Sequence, residues 1–272
     1  MSSNPLQQYF RQPKLFVSLP SKGMFYKEGT LTGDYNNVPI FAMTGMDEII
    51  MKTPDALFSS EATIKLIESC CPFIKDAKNI PSLDIDALLV AIRAATFGED
   101  MTIAHTCKNC SAENEYGIKL NNVLDHYQDK VYESTIAMGD LTINIRPLTY
   151  DEMTKVNIEN FKLQRILNQL SSIPETDRQE HLDKIYQELA KIQLDLLVTS
   201  IESIQTPTGT VTEKEYINEW LTNSIRENYK IIKSKLEANK EAWSMPKFPI
   251  KCNECGTEDT IEVAMDQSNF FE

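Results

Sequence analysis

Four of the six cysteines fall into two Cys-x-x-Cys pairs that share one local frame. The first pair lies in His105-Thr106-Cys107-Lys108-Asn109-Cys110-Ser111-Ala112-Glu113, the second in Ile250-Lys251-Cys252-Asn253-Glu254-Cys255-Gly256-Thr257-Glu258. In each, a small residue follows the second Cys and an acid stands three places beyond it. Apolar positions then alternate, Ile118 and Leu120 after the first pair, Ile261 and Val263 after the second. Two intervening residues let both sulfurs of a pair point at one ion, and four thiolates satisfy tetrahedral zinc. The expectation is two zinc knuckles on β-hairpins, with Cys107, Cys110, Cys252 and Cys255 sharing one zinc per chain. The 141 residues between Cys110 and Cys252 exceed the gap of a compact zinc ribbon, so the fold itself must unite them.

Other chemistries are poorly served. The three histidines are His105, His126 and His181, and the chain has no Gly-x-Ser-x-Gly elbow, His-Glu-x-x-His helix or Gly-x-Gly-x-x-Gly loop. A deaminase zinc site needs His-x-Glu upstream of Pro-Cys-x-x-Cys, and neither part occurs. His105 lies two residues before Cys107, where an incoming strand belongs, which argues against it as a ligand. A thioredoxin-like pair needs a helix N-terminus, whereas the alternation after each pair here says strand. Cys70-Cys71, at an expected helix end, read as buried small apolar residues. The chain reads as a non-enzyme.

The elements that would position the cysteines show a wider echo. Met43-Thr44-Gly45-Met46-Asp47-Glu48-Ile49 returns as Leu148-Thr149-Tyr150-Asp151-Glu152-Met153, each after a strand-like run, Val38 to Phe41 and Leu141 to Ile145. Ile67-Glu68-Ser69 is echoed by Ile201-Glu202-Ser203. The fold class expected is α+β, mainly helical, in two diverged copies of a strand–helices–Cys-x-x-Cys hairpin unit joined by a zinc-ribbon-like site of four cysteines. The boundaries are an N-terminal arm and turn (1–37), a first repeat (38–125), a linker (126–140) and a second repeat (141–272) with a helical insertion at about 160–190. Helices are expected to start at Thr44, at Thr53-Pro54-Asp55 (with Leu57, Ile64 and Ile67 following on helical spacing) and at Pro81-Ser82, the last ending at Gly98. Val123 to Val131 read as a polar lead-out. In the insertion, Ser171-Ser172-Ile173-Pro174 separates two apolar stripes, and Leu182, Ile185, Leu189, Ile192 and Leu196 suit an α-hairpin or a seam with another subunit. Beyond a plain loop at Thr206-Pro207-Thr208-Gly209, one long helix should carry Tyr216 through Leu236.

Net charge is −13, yet residues 1–27 hold Arg11, Lys14, Lys22 and Lys27 and no acid, so the arm is +4 and the body −17. An acidic body argues against direct nucleic-acid binding and against an anionic membrane surface. No apolar run is long enough to span a membrane, and Met1-Ser2-Ser3-Asn4-Pro5 opens no signal peptide, which points to a reducing cytoplasm where paired cysteines favour metal. The arm is also apolar, and the residues expected to meet a partner are Leu6, Tyr9, Phe10, Arg11, Lys14, Phe16, Leu19, Pro20, Lys22, Gly23, Phe25 and Tyr26. A variant lacking residues 1–18 is expected to stay folded and lose its partners. Pro20 with Gly23 marks a tight turn, and its Lys-Gly lacks the spacing of a phosphate loop.

Leu19-Pro20-Ser21-Lys22-Gly23 with Tyr26, Met43-Thr44 with Asp47-Glu48, and the helix Leu88 to Arg93 running through Phe97-Gly98 to a Cys-x-x-Cys together resemble the baseplate proteins of T-even-type contractile-tailed phages, which include a hub component and hub-assembly factors. The likeness is best over about residues 15–125, and the long helical insertion departs from shorter members. The resemblance implies a structural or assembly part in the baseplate hub region, a hetero-oligomeric assembly with other baseplate proteins, and production in the infected bacterial cytoplasm before incorporation in the virion tail. Two alternatives stay open: a zinc-ribbon adaptor contacting nucleic acid or polymerase, and a transient assembly chaperone absent from the mature virion.

Overall fold

The computed structural model describes residues 4–53, 60–170, 175–263 and 270–271. The expected helix start at Pro54-Asp55, with Leu57, and the break at Ser171-Ser172-Ile173-Pro174 lie outside them. The first strands are β1 (Pro13–Val17), β2 (Val38–Phe41), β3 (Asp100–Thr106) and β4 (Glu113–Lys119). Then come β5 (Thr135–Met138), β6 (Leu141–Ile145), β7 (Ile201–Thr206), β8 (Gly209–Val211), β9 (Lys247–Lys251) and β10 (Glu258–Glu262). The helices are α1 (Gly45–Met51), α2 (Glu61–Cys70), α3 (Ser82–Phe97), α4 (Leu120–Gln128), α5 (Tyr150–Leu170), α6 (Glu175–Ser200), α7 (Lys214–Asn223) and α8 (Arg226–Ala242). The class is α+β with small antiparallel sheets. Two compact units emerge, Met1–Val131 with Trp243–Glu272, and Tyr132–Ala242. This division differs from the repeat boundaries, because it groups the second Cys pair with the first.

In the first unit α3 is the central element. Leu88, Val90, Ala91 and Ile92 are all buried, so the helix is apolar around its whole circumference. β1 and β2 pair antiparallel, with Phe16 opposite Pro39 and Val17 opposite Val38. Thr44 caps α1: its hydroxyl accepts the Asp47 N–H, and Asp47 accepts the Thr44 N–H in return. Arg11 bridges this cap to α2, donating to Ala42 O (2.6 Å), Ser69 O (2.8 Å) and Asp47 Oδ2 (3.4 Å). The turn after β1 is held at its centre. Buried Asp84 accepts from the Ser21 N–H (2.7 Å), the Ser21 hydroxyl (2.5 Å) and the Tyr26 hydroxyl (2.8 Å). Lys22 and Gly23 both take positive φ there, and a Cβ on Gly23 would meet the Tyr35 ring at 2.9 Å. The C-terminal Phe270 is buried, with its carbonyl accepting from Arg93 Nε at 2.7 Å.

These contacts correct the expectation for a variant lacking residues 1–18. Residues 13–17 form a strand of this chain's own sheet, and Arg11 ties three of its segments together, so that truncation removes structure as well as surface. The lead-out after the first Cys pair is also more ordered than expected. Leu120, Val123 and Tyr127 recur on one face and form α4, whose Tyr127 ring stacks on Trp243.

In the second unit β5–β6–β7–β8 form an antiparallel sheet, and α5 and α6 leave and re-enter between the paired strands β6 and β7. The stripes expected in the insertion meet each other within the chain: Leu163 and Ile185 are buried, with Leu167, Leu182, Leu189 and Ile192 packed around them. Thr149 caps α5, accepting the Glu152 N–H (3.3 Å), and Glu152 accepts the Thr149 N–H (2.9 Å). Arg146 grips the same carboxylate with both guanidinium nitrogens at 2.7 and 2.8 Å. At the same end of the hairpin, where α6 runs into β7, Lys214 Nζ donates to the carbonyls of Val198 and Thr199 and also to that of Ile201, closing the C-terminus of α6.

Three further expectations are corrected here. The single helix from Tyr216 to Leu236 is two helices, broken at Ser224-Ile225, where Ser224 is extended and its hydroxyl reaches Leu221 O. Thr206–Gly209 is a tight turn joining β7 to β8. The Ile67 echo also fails structurally: Ile67-Glu68-Ser69 is helical in α2, whereas Ile201-Glu202-Ser203 is strand in β7.

Candidate metal centre

Each Cys-x-x-Cys sits at the turn of its own hairpin, β3–β4 and β9–β10. The two turns match bond for bond. Cys107 N–H donates to Ala112 O and Cys252 N–H to Thr257 O, both at 2.9 Å. Ser111 N–H returns to Cys107 O (2.9 Å), and Gly256 N–H to Cys252 O (3.0 Å). Ser111 and Gly256 carry φ of +58° and +70°, which explains the small residue after each second cysteine.

The fold of the first unit brings all four sulfurs within 4.8 Å of one another, a group able to hold a metal ion. Two sulfur pairs make contact between the hairpins, Cys107 with Cys255 and Cys110 with Cys252, each at 3.6 Å. Cys107 and Cys252 are buried, Cys110 and Cys255 exposed. The surroundings favour thiolates unevenly. The Cys255 thiol is lowered to about 5, first by the Thr257 hydroxyl (3.1 Å) and backbone N–H, then by Asn109. Cys252 is lowered by the backbone N–H groups of Cys255 and Glu254. At Cys110 the Ala112 N–H favours the thiolate, but the sulfurs of Cys255, Cys252 and Cys107 outweigh it and push the thiol up to about 12. Crowded sulfurs without a cation cannot all ionise together.

A second layer of side chains joins the hairpins. Asn114, buried on β4, donates to Ala112 O (3.1 Å) and to Cys252 Sγ (3.5 Å) and accepts the Asn253 N–H (3.0 Å). Asp259, on β10, meets Lys108 Nζ at 2.9 Å and His105 Nε2 at 3.4 Å, and Lys108 holds its carboxyl below the usual range. Tyr116 OH donates to Lys251 O at 3.0 Å. Sequence reasoning missed Asn114; extending the matched frame beyond the acid would have aligned it with Asp259. His105 stays on β3, opposite Asn114 and outside the sulfur cluster.

The N-terminal residues expected to meet a partner separate into two groups. Leu6 (62% exposed), Tyr9 (76%), Phe10 (57%) and Phe16 (57%) face outward, as do Lys14 and Lys22. Leu19 and Pro20 are buried in this chain's own core, which corrects their assignment to a partner surface. Arg11 and Tyr26 are committed to internal bonds with α1, α2 and α3, while Gly23 and Phe25 are half-buried at the turn.

No match was found among curated proteins or among solved structures. A family model described as "T4 bacteriophage base plate protein" matches residues 16–272, covering both units and all four clustered cysteines. The chain therefore belongs to the T4 bacteriophage base plate protein family.

Proposed function

We propose that this protein is a structural or assembly component of the hub region of a contractile-tail baseplate, acting by protein–protein interaction and held together by one structural zinc. The observation that carries the reading is the family match across 16–272, which makes the chain a phage base plate protein. The centre supports a structural role. Tetrahedral zinc with bonds of about 2.3 Å separates its sulfurs by about 3.8 Å, close to the 3.6 Å of the two crossing pairs. Cys107, Cys110, Cys252 and Cys255 would complete the shell and leave no open position for substrate or water. The bound metal supplies folding energy and orientation, and the polypeptide supplies thiolates, a buried Asn114 and the crossing bonds.

The partner-facing part is the exposed stretch from Leu6 to Phe10, with Lys14, Phe16 and Lys22 behind it. Apolar side chains there would contribute roughly 25 cal/mol per Å² removed from water, and the positive charges would select an acidic neighbouring baseplate subunit. Assembly would take place in the infected host cytoplasm. The sulfur positions also support descent of the two hairpins from one duplicated unit.

The test is quantitative mass spectrometry of purified particles and tails, together with deletion of the reading frame. A permanent component appears at a fixed copy number, and its deletion stops tail assembly. Deletion that stops assembly while the protein is absent from particles identifies a transient chaperone. Particles that assemble normally without it overturn the proposal.

A further inference from the structure

The sulfur pairing carries a consequence of its own, independent of which metal binds. In each crossing pair one cysteine is buried and one exposed: Cys107 with Cys255, and Cys252 with Cys110, their sulfurs 3.6 Å apart. An exposed sulfur can be reached by a soluble disulfide, and a buried one 3.6 Å away is placed to resolve the adduct. We propose that the cluster is a redox-convertible cross-link site: once free of metal, it closes into two disulfides between the hairpins, Cys107–Cys255 and Cys110–Cys252. The junction then persists covalently where thiols oxidise, as on a particle outside its host. That setting rests on the baseplate reading; the pairing chemistry does not.

The chemistry balances with oxidised glutathione as oxidant. The Cys255 thiolate attacks one sulfur of the glutathione disulfide, forming a mixed disulfide and releasing one glutathione thiolate. Cys107, deprotonated by solvent, then attacks the Cys255 sulfur, closes the protein disulfide and expels the second glutathione thiolate. Cys110 and Cys252 repeat the sequence. Each cycle oxidises two protein thiols and reduces one glutathione disulfide. Closing each pair to a bond of about 2.0 Å requires a modest approach of two hairpin turns. Cys70 and Cys71, both buried, stand outside the reaction, and burial pushes the Cys70 thiol up to about 11.

The full-length protein is purified under reducing conditions, its metal content is measured, and it is treated with a chelator and then oxidised glutathione. After denaturation, free thiols should fall from six to two. Lys108 separates Cys107 from Cys110, and Glu254 separates Cys252 from Cys255, so combined cleavage after Lys and Glu gives each of the four clustered cysteines its own peptide. Non-reducing peptide mapping should recover Cys107–Cys255 and Cys110–Cys252 in excess. Cys255→Ser should lose the first linkage and keep the second. Without chelation, a metal-loaded protein should resist oxidation. Predominant Cys107–Cys110 and Cys252–Cys255 linkages would overturn the proposal, as would six free thiols after treatment. Finding the crossed linkages in protein purified without metal upholds the pairing and removes the zinc reading alone.

Discussion

Asn114 and Asp259 stand at equivalent places in the two hairpins, and each crosses to the residue after the first cysteine of the other, Asn114 to Asn253 and Asp259 to Lys108. The exchange is reciprocal but unequal. Asn114 is buried and also touches a sulfur, whereas Lys108 is largely exposed. Asn114→Ala should leave the Asn253 N–H unpaired beside the cluster, costing about 1–3 kcal/mol of stability and roughly 10–100-fold in metal affinity. Asp259→Asn should do much less, since exposed ion pairs are screened. Chelator competition on both variants measures the contrast; equal affinities would remove Asn114 from its supporting role.

Removing the metal is the coarser test. Cys107→Ser should reduce bound zinc from one equivalent to well below half, and a chelator should lower the thermal midpoint of the wild type but not of the variant. Elemental analysis and calorimetry read both. A wild type indifferent to chelation would place the hairpin junction on packing alone.

Asp84 gives the first unit a pH dependence. Burial raises its carboxyl to about 6, only partly opposed by the Ser21 and Tyr26 donors. An unfolded Asp ionises near pH 4, so between about 4 and 6 the folded protein binds the extra proton. Stability from this group is therefore complete below about pH 4 and declines as pH rises through 6, by up to ~3 kcal/mol. Asp84→Asn should flatten that slope. Denaturant midpoints from about pH 4 to 7.5, compared between the two proteins, test it with the general acidity of the chain held constant.

Glu152 behaves oppositely. Burial would push it up, but the Arg146 fork and the Thr149 N–H outweigh that and hold it near 2. Its contribution is present above about pH 4.5 and is lost as pH falls toward 2. Glu152→Gln should cost about 1–2 kcal/mol at neutral pH, the pair being only half-buried. The loss should vanish in acid. A midpoint unchanged at neutral pH would show that the fork contributes nothing net.

The arm is best tested by a short truncation. A variant starting after Phe10 keeps Arg11 and β1, so it should fold and bind metal like the full chain while losing co-purification with baseplate partners. Unchanged stoichiometry would exclude Leu6, Tyr9 and Phe10 from assembly.

What was legible in the sequence was whatever repeats or alternates locally. Cysteines at fixed spacing, with a small residue where the backbone turns left-handed, marked the centre, and the stripe from Leu182 to Ile192 marked the α-hairpin. What escaped was decided at long range. Nothing near Arg11 shows that its guanidinium closes on Ser69 and Asp47, and nothing near Asp84 shows that it receives Ser21. Ile67-Glu68-Ser69 and Ile201-Glu202-Ser203 carry similar letters, yet pairing with β6 makes the second a strand while the first continues a helix. The break at Ser224-Ile225 carries no Pro or Gly, so an unbroken helix was the natural reading.

The order of synthesis follows from where the second unit lies. Residues 132–242 interrupt the first unit, whose last segment begins at Trp243. A ribosome adding about 5–20 residues per second reaches Cys252 roughly 7–30 s after Cys110. For that interval a nascent chain holds half a ligand set, too few thiolates for a closed shell, while the interrupting segment can already fold behind it. A complete set of four cysteines is thus a late event in the life of the polypeptide, and a chain stalled before residue 252 lacks the second hairpin beside Cys107, which the finished fold buries.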